Sequence, residues 1–260
     1  MYYNTVDLQA GNRFFFTFEG KIGFLSEGES HHLIRVLRKK EGEKIKLING
    51  MGGEYEGEII EIVKKGKTLK AKVKILKLLR KENLPSKKII ALIPLLKGDK
   101  TEFLIEKGTE LGITKFIPFQ SDYTVVKPSS KLKKRLKIKA INALKQSGRL
   151  YLPEINSPVN LKIFLSENPF SSSFKIVALP TGELYLRDLA NKVFNSKEIV
   201  LISGPEGGFS KDEENLLKNQ GFISFSISPY ILKAETASLS LMSFITVLLN
   251  AFFCKSLEKK

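Results

Sequence analysis

The apolar positions of this chain follow two rhythms, and the change comes near residue 80. Before it, KIKLIN (44–49), EGEIIEIV (56–63) and LKAKVKIL (69–76) are short runs rich in Ile and Val, parted by turns holding Gly and Lys. Short strands at this spacing predict a small β-barrel or sandwich. One helix interrupts it: HHLIRVLR (31–38), capped by Ser30, places Leu33, Val36 and Leu37 on one face. The polar stretch RKENLPSKK (80–88) marks the boundary, giving a small N-terminal domain, 1–80, and a larger one, 81–260.

After the boundary the runs are apolar throughout. KIIALIPLL (88–96), FKIVALP (174–180) and EIVLIS (198–203) predict strands covered on both faces, with FIPFQ (116–120) as another candidate. Helical patterns alternate with them. GDKTEFLIEKGTELG (98–112) ends on Gly112, and SSKLKKRLKIKAINALKQSG (129–148) carries a stripe of Leu132, Leu136, Ala140, Ala143 and Leu144. FSKDEENLLKNQ (209–220) and an uncharged helix from Glu235 complete the series. Strands alternating with helices predict an α/β domain with a mainly parallel sheet.

Charge adds a partner. The net charge is +16, and residues 125–149 hold nine basic and no acidic side chains. Clustering of this kind is the footprint of a polyanion such as nucleic acid. A single cysteine, Cys254, excludes a disulfide framework and a cysteine zinc site, and reads as a buried thiol. His31 and His32 have no evident third metal ligand and read as packing or turn residues. The start MYYNTVDLQAGNRFFF lacks the basic, then apolar, pattern of a signal peptide, which fits a cytoplasmic setting. Residues 237–254 are uncharged but carry Ser, Thr and Asn. They read as a buried or interface helix rather than a membrane span.

The chemistry concentrates in VLISGPEGGFSKDE (200–213). A buried strand runs into Gly204-Pro205-Glu206-Gly207-Gly208, and a helix follows with Ser210 and Glu213 as a capping box. Glycines let backbone approach a ligand, and in open α/β sheets ligands sit at the carboxyl ends of strands. The loop matches neither a Walker phosphate loop nor the dinucleotide fingerprint, so spacing alone stops at a nucleotide-like small molecule. A second stretch, SISPYILKAETASLSLMSF (226–244), runs from a short strand through a Pro turn into a helix. Glu235 in its first turn serves as a capping charge or as a functional acid.

Together these stretches resemble the RsmE family of small-subunit ribosomal RNA uridine-N3 methyltransferases, in the SPOUT superfamily. The resemblance rests on GPEGGFS (204–210) followed by ILKAETA (231–237). NRFF (12–15), HHLIRVLRKKEGEKIKLING (31–50), KGDKTEFLIEKGTELGITKFIPF (97–119) and KQSGRLYLPEI (145–155) extend it over nearly the whole chain. Two positions depart: Lys233 stands where arginine is usual, and Lys145 precedes Gln146 where an acidic residue is common.

The resemblance implies a PUA-like β-barrel over 1–80 and a SPOUT domain over 81–260, whose parallel sheet ends in a C-terminal trefoil knot. It implies S-adenosylmethionine as cofactor, held by Leu179, Ile202, Ser203, Gly204, Pro205, Glu206, Gly207, Gly208, Ile227, Leu232 and Thr236. Catalysis, methyl transfer to uridine N3, would draw on Arg13 or Arg149 to offset negative charge and on Glu206 or Glu235 for proton removal or orientation. RNA would meet Arg13, Arg35, Arg38, Lys39, Lys131, Lys134, Arg135 and Lys233, with Lys40, Lys133 and Lys137 beside them. The implied partners are small-subunit ribosomal RNA, within the assembled subunit, and a second copy of the chain; no metal and no membrane are implied. A non-catalytic RNA-binding assembly factor, or methylation of another RNA atom, stays open as an alternative.

Overall fold

The computed structural model describes residues 13–17, 20–66, 68–182 and 186–257, with side chains except at 65, 186–188 and 251–257. Asn12 and the expected buried thiol of Cys254 therefore lie outside what is described. Two units emerge. Unit 1 holds the described residues up to Leu84 together with Ile141–Leu152, and unit 2 holds Pro85–Ala140 and the described residues from Pro153 onward.

Unit 1 is built on five strands: β1 (Arg13–Phe15), β2 (Ile22–Phe24), β3 (Lys44–Ile48), β4 (Gly53–Lys65) and β5 (Thr68–Lys81). They lie in the order β1-β3-β4-β5-β2, with β1 parallel to β3 and the other pairs antiparallel. Alternation decides which face is buried. Ala71 and Val73 of β5 turn inward to Phe14, Phe16, Leu25, Leu33 and Leu47, while Lys70 and Lys74 turn out. The expected barrel is here a sheet with two edges: among the described residues β1 and β2 are not paired with each other. The expected helix also starts earlier. Helix α1 (Glu27–His31) is capped by Ser26, whose Oγ accepts from the Glu29 N–H, and continues as a π-helical turn, His32–Val36. Ser30 is buried instead, donating to the Leu25 carbonyl and accepting from the Ala71 N–H, so it ties this helix to β5.

The segment 141–152 joins unit 1 through long-range polar contacts, although the sequence pattern assigns it to the larger domain. Lys145 pairs with Glu29 (2.5 Å), Arg80 donates to the Gly148 carbonyl, and Glu82 accepts from the Leu150 N–H (3.2 Å). Leu144 and Leu150 pack with Ile48.

Unit 2 is a parallel sheet of β6 (Lys88–Pro94), β7 (Lys115–Gln120), β8 (Glu154–Ile155), β9 (Val159–Asn160), β10 (Phe174–Ala178), β11 (Glu198–Ser203) and β12 (Ile223–Phe225). The order is β12-β10-β11-β6-β7-β8, with β9 also on β7, and every pair is parallel. One face packs helices α4 (Leu161–Ser166) and α6 (Lys211–Asn219) over Ile90, Leu92, Val177, Val200 and Ile202. Helices α2 (Lys100–Leu111) and α5 (Leu186–Asn195) each pack on α7 (Ala234–Leu257), which also lies on β6, β10 and β11. Covered strands explain the continuous apolar runs. Helix α2 ends on Gly112, whose φ of 94° is the left-handed cap the sequence predicts. Helix α3 (Leu132–Ser147) buries its predicted stripe, Leu132, Leu136, Ala140, Ala143 and Leu144. Among the described residues no helix is long and apolar enough to cross a membrane.

Strand order fixes where a ligand belongs. The chain leaves β6 toward β7 on one side, and leaves the adjacent β11 toward β12 on the other. Connections that diverge from neighbouring strands open a crevice at their carboxyl ends. The glycine loop 204–208 sits at that switch point.

Candidate functional site

A cavity of about 700 Å³ opens where β10, β11 and β12 end and α7 begins. Gly204 to Phe209, Leu179, Pro180, Ile227, Ser228 and Tyr230 to Leu232 line it, and Lys100, Lys233 and Glu235 bring charge. Eight residues expected to hold cofactor line it: Leu179, Gly204, Pro205, Glu206, Gly207, Gly208, Ile227 and Leu232.

Three do not, each for a local reason. Ile202 points into the sheet core, since side chains alternate along a strand. Ser203 is buried, its hydroxyl bonded to that of Ser238 on α7, so it braces the loop from beneath. Thr236 lies exposed on the first turn of α7, off the cavity wall.

Local chemistry shapes the glycine loop. Gly208 has φ 72°, a conformation side chains resist, and a Cβ on Gly207 would stand 2.8 Å from that of Tyr123. Beyond the loop the capping box forms as expected. Ser210 Oγ accepts from the Glu213 N–H, and Glu213 returns a bond to the Ser210 N–H (2.9 Å).

The two acidic candidates differ. Glu206 is exposed and accepts from the Lys97 N–H (3.3 Å). Glu235 is 19% exposed at its side chain and pairs with Lys100 Nζ at 3.1 Å. Its own backbone N–H, then Lys100, hold its carboxyl below the usual carboxylate range despite burial. Its Oε2 is buried and, among the described residues, is a side-chain oxygen with no hydrogen-bond partner. A buried carboxylate oxygen without a donor is suited to an N–H or O–H from a ligand.

The arginine candidates lie in unit 1. Arg13 is only 5% exposed; its Nε meets Glu54 Oε1 at 2.8 Å and its Nη1 donates to the Lys145 carbonyl at 3.3 Å. This corrects the expectation of an RNA contact, because a buried guanidinium committed on two sides holds unit 1 together. Arg149 is half-buried. Of the other basic candidates, Arg35, Arg38, Lys131, Lys134, Arg135 and Lys233 are exposed, as are Lys40, Lys133 and Lys137. Arg135 pairs with Glu102 (3.0 Å) and Lys39 with Glu43 (2.6 Å). His31 and His32 are exposed, and no cluster able to hold a metal occurs among the described residues.

Lys100, Tyr230 and Ile231 line the cavity without having been singled out in the sequence. Lys100 lies far from both motifs in the chain, and Ile231 stands inside ILKAETA with no local signal that it meets the cavity.

Comparison with known proteins follows the same division. Residues 82–246 match the family model of the RNA methyltransferase domain, and residues 25–72 match that of the RNA methyltransferase PUA domain. Ribosomal RNA small subunit methyltransferase E of Buchnera aphidicola is 32% identical over 88% of this chain and 89% of its own length. A crystal structure of the enzyme of that name from Neisseria gonorrhoeae, bound to S-adenosyl methionine, superposes with TM-score 0.78 at 27% identity, covering 91% of this chain and 97% of that one. A Legionella pneumophila protein solved with the bound cofactor SAM gives TM-score 0.81 at 29% identity, covering 90% and 96%. The chain belongs to the RsmE family of RNA methyltransferases, with an α/β methyltransferase domain and an N-terminal PUA domain.

Proposed function

We propose that this chain is an S-adenosylmethionine-dependent methyltransferase acting on N3 of a uridine in 16S ribosomal RNA of the small subunit. The observation that carries this is the cavity at the switch point, lined by the glycine loop and by Ile227, Leu232 and Glu235. Its size suits a nucleoside-like ligand. Gly208, where a Cβ would meet nothing within 4 Å, leaves backbone bare for close approach, and the orphan Glu235 Oε2 offers an acceptor. Leu179, Ile227 and Leu232 are the apolar cover for an adenine. When bound, S-adenosylmethionine supplies a methyl group already activated by its sulfonium charge.

The chain's own residues then hold, orient and manage one proton. A carboxylate held below its usual range is a weak base, so Glu235 serves as an acceptor that orients ligand, with Lys100 keeping it charged. In this reading the exposed Glu206, on the cavity lining, receives the uridine N3 proton. Arg149 and Arg13 both belong to unit 1, where Arg13 holds the 141–152 segment through the Lys145 carbonyl. Glu206→Gln is expected to lower kcat with little change in cofactor affinity, and Glu235→Gln to weaken cofactor or substrate binding; the reverse pattern would exchange their roles.

The reading includes a trefoil knot formed by the C-terminal part of unit 2. Within that part the chain after β10 passes close to the end of its neighbour β12, where a Cβ on Gly182 would fall 1.9 Å from the Ser226 nitrogen. The reading also includes a homodimer, supported by Ile231, 92% exposed, and by exposed Tyr230 and Val247. The RNA is held by the exposed cations Arg35, Arg38, Lys131, Lys134, Arg135 and Lys233, within the assembled small subunit in the cytoplasm.

The test uses the full chain, methyl-labelled S-adenosylmethionine and small subunits lacking the modification. Label recovered as 3-methyluridine supports the reading. Label in another nucleoside moves the target atom, and cofactor binding without any transfer points to an assembly factor.

A further inference from the structure

Beside the glycine loop stands an aromatic ring with no role in the mechanism above. Tyr123 is 54% exposed, and its Cβ, Cγ and Cδ2 lie 2.8, 3.4 and 3.7 Å from where a Cβ on Gly207 would be. Gly207 lines the cavity, so the exposed tyrosine stands directly against a residue of its wall.

The loop that carries it is anchored on every side. The Asp122 N–H donates to Glu213 Oε1 (2.9 Å), and its carboxylate accepts from Ser210 Oγ (2.6 Å) and pairs with Lys162 Nζ (2.6 Å). The Ser121 N–H donates to Thr124 Oγ1 (2.9 Å), and Gln120 Nε2 donates to the Val126 carbonyl (3.0 Å). The same Glu213 that caps the helix after the glycine loop thus holds Tyr123's neighbour, so ring and loop are positioned as one piece. Four residues after Tyr123 comes Lys127, and the basic run continues through Lys131, Lys133 and Lys134. An exposed ring against a cavity-lining residue, followed in the chain by a cationic segment, is the combination that holds unpaired bases, by stacking and by phosphate contact. A base that reacts must leave its stack, and an aromatic face at the cavity mouth replaces the lost stacking.

We infer that Tyr123 is a stacking platform for an unpaired base of the RNA substrate at the mouth of the cofactor cavity. This rests on the methyltransferase reading, and Tyr123 acts on substrate capture, not on cofactor binding or methyl transfer.

The experiment compares Tyr123→Ala, Tyr123→Leu and Tyr123→Phe in the full chain. It measures KM and kcat on unmodified small subunits and Kd for S-adenosylmethionine. Stacking on an aromatic predicts that alanine and leucine each raise KM about tenfold while phenylalanine restores it. Cofactor Kd and kcat stay within about twofold of wild type. The chain has no tryptophan, so Tyr123→Trp adds a sole reporter whose emission a uridine-containing oligonucleotide should quench saturably. Leucine performing as well as phenylalanine would reduce Tyr123 to a packing residue over Gly207, and a loss that follows cofactor Kd would make it part of the cofactor site; either overturns the inference. Wild-type enzyme that neither binds cofactor nor methylates subunits would instead overturn the parent reading.

Discussion

Strands β5 and β6 are near neighbours in the chain and opposites in composition. TLKAKVKILKLLRK alternates, and only Ala71 and Val73 are fully buried; KIIALIP is buried at every position after Lys88. The first belongs to a sheet with one wet face, the second to a sheet covered by helices. A covered parallel sheet must return through crossovers, and crossovers that diverge leave a crevice at the strand ends. The cavity therefore belongs to unit 2, while unit 1 offers surface, charge and an internal network of ion pairs.

That contrast can be broken most sharply at glycines. Gly182→Ala would drive a Cβ into the backbone at Ser226. It should cost on the order of 4 kcal/mol, with loss of cofactor binding. In unit 1, a Cβ on Gly28, inside helix α1, meets nothing within 4 Å. Gly28→Ala should be neutral or stabilise by up to about 1 kcal/mol. Urea unfolding of both variants checks the pair, and equal costs would remove the distinction. A step down in size, Leu92→Ala in the buried strand should cost about 3 kcal/mol, whereas Leu76→Ala on β5, exposed, should cost below about 0.5.

Arg13→Ala sharpens the comparison from the other side. It strips one partner from buried Glu54 and should destabilise unit 1 by about 3 kcal/mol while leaving S-adenosylmethionine affinity unchanged. Calorimetric unfolding with a parallel cofactor titration separates the two effects; intact stability with lost turnover would return Arg13 to the chemistry. Replacing Lys131, Lys133 and Lys134 by glutamine should lower subunit affinity and flatten its salt dependence, by a log–log slope of about 2 if all three meet phosphate.

The smallest effect concerns pH. Because Glu235 is held below its ordinary range of 4.5, its ionised form contributes stability above that value, which is lost as pH falls through the lowered folded pKa. Cofactor affinity in the wild type should therefore not change through Glu235 titration between neutral pH and about 5. Lys100→Met removes one of the groups holding it down, so affinity should begin to fall at higher pH than in wild type. Identical pH profiles would separate Lys100 from the site.

What the sequence revealed follows the range of each interaction. Local signals were legible: the buried strands at 88 and 198, the Gly112 cap, the Ser210–Glu213 box and the glycine loop at a strand end. Strand phase was the finer limit, since Ile202 and Ser203 adjoin the loop yet turn into the core and toward Ser238. Long-range contacts left no local trace. The allegiance of 141–152 depends on Glu29, Arg80 and Glu82, and the partner of Glu235 is Lys100, distant in the chain. Ser30 looked like a cap because helix periodicity does not reveal that the Ala71 backbone needs its hydroxyl.

The most direct test of the account is a calorimetric titration of S-adenosylmethionine into the wild-type chain and into Leu232→Asp, which sets a charge on the apolar wall of the cavity. The account predicts one saturable binding event per chain in the wild type and none in the variant, with both folded by circular dichroism. No binding to the wild type, or binding untouched by the variant, would contradict the assignment of this cavity to the cofactor.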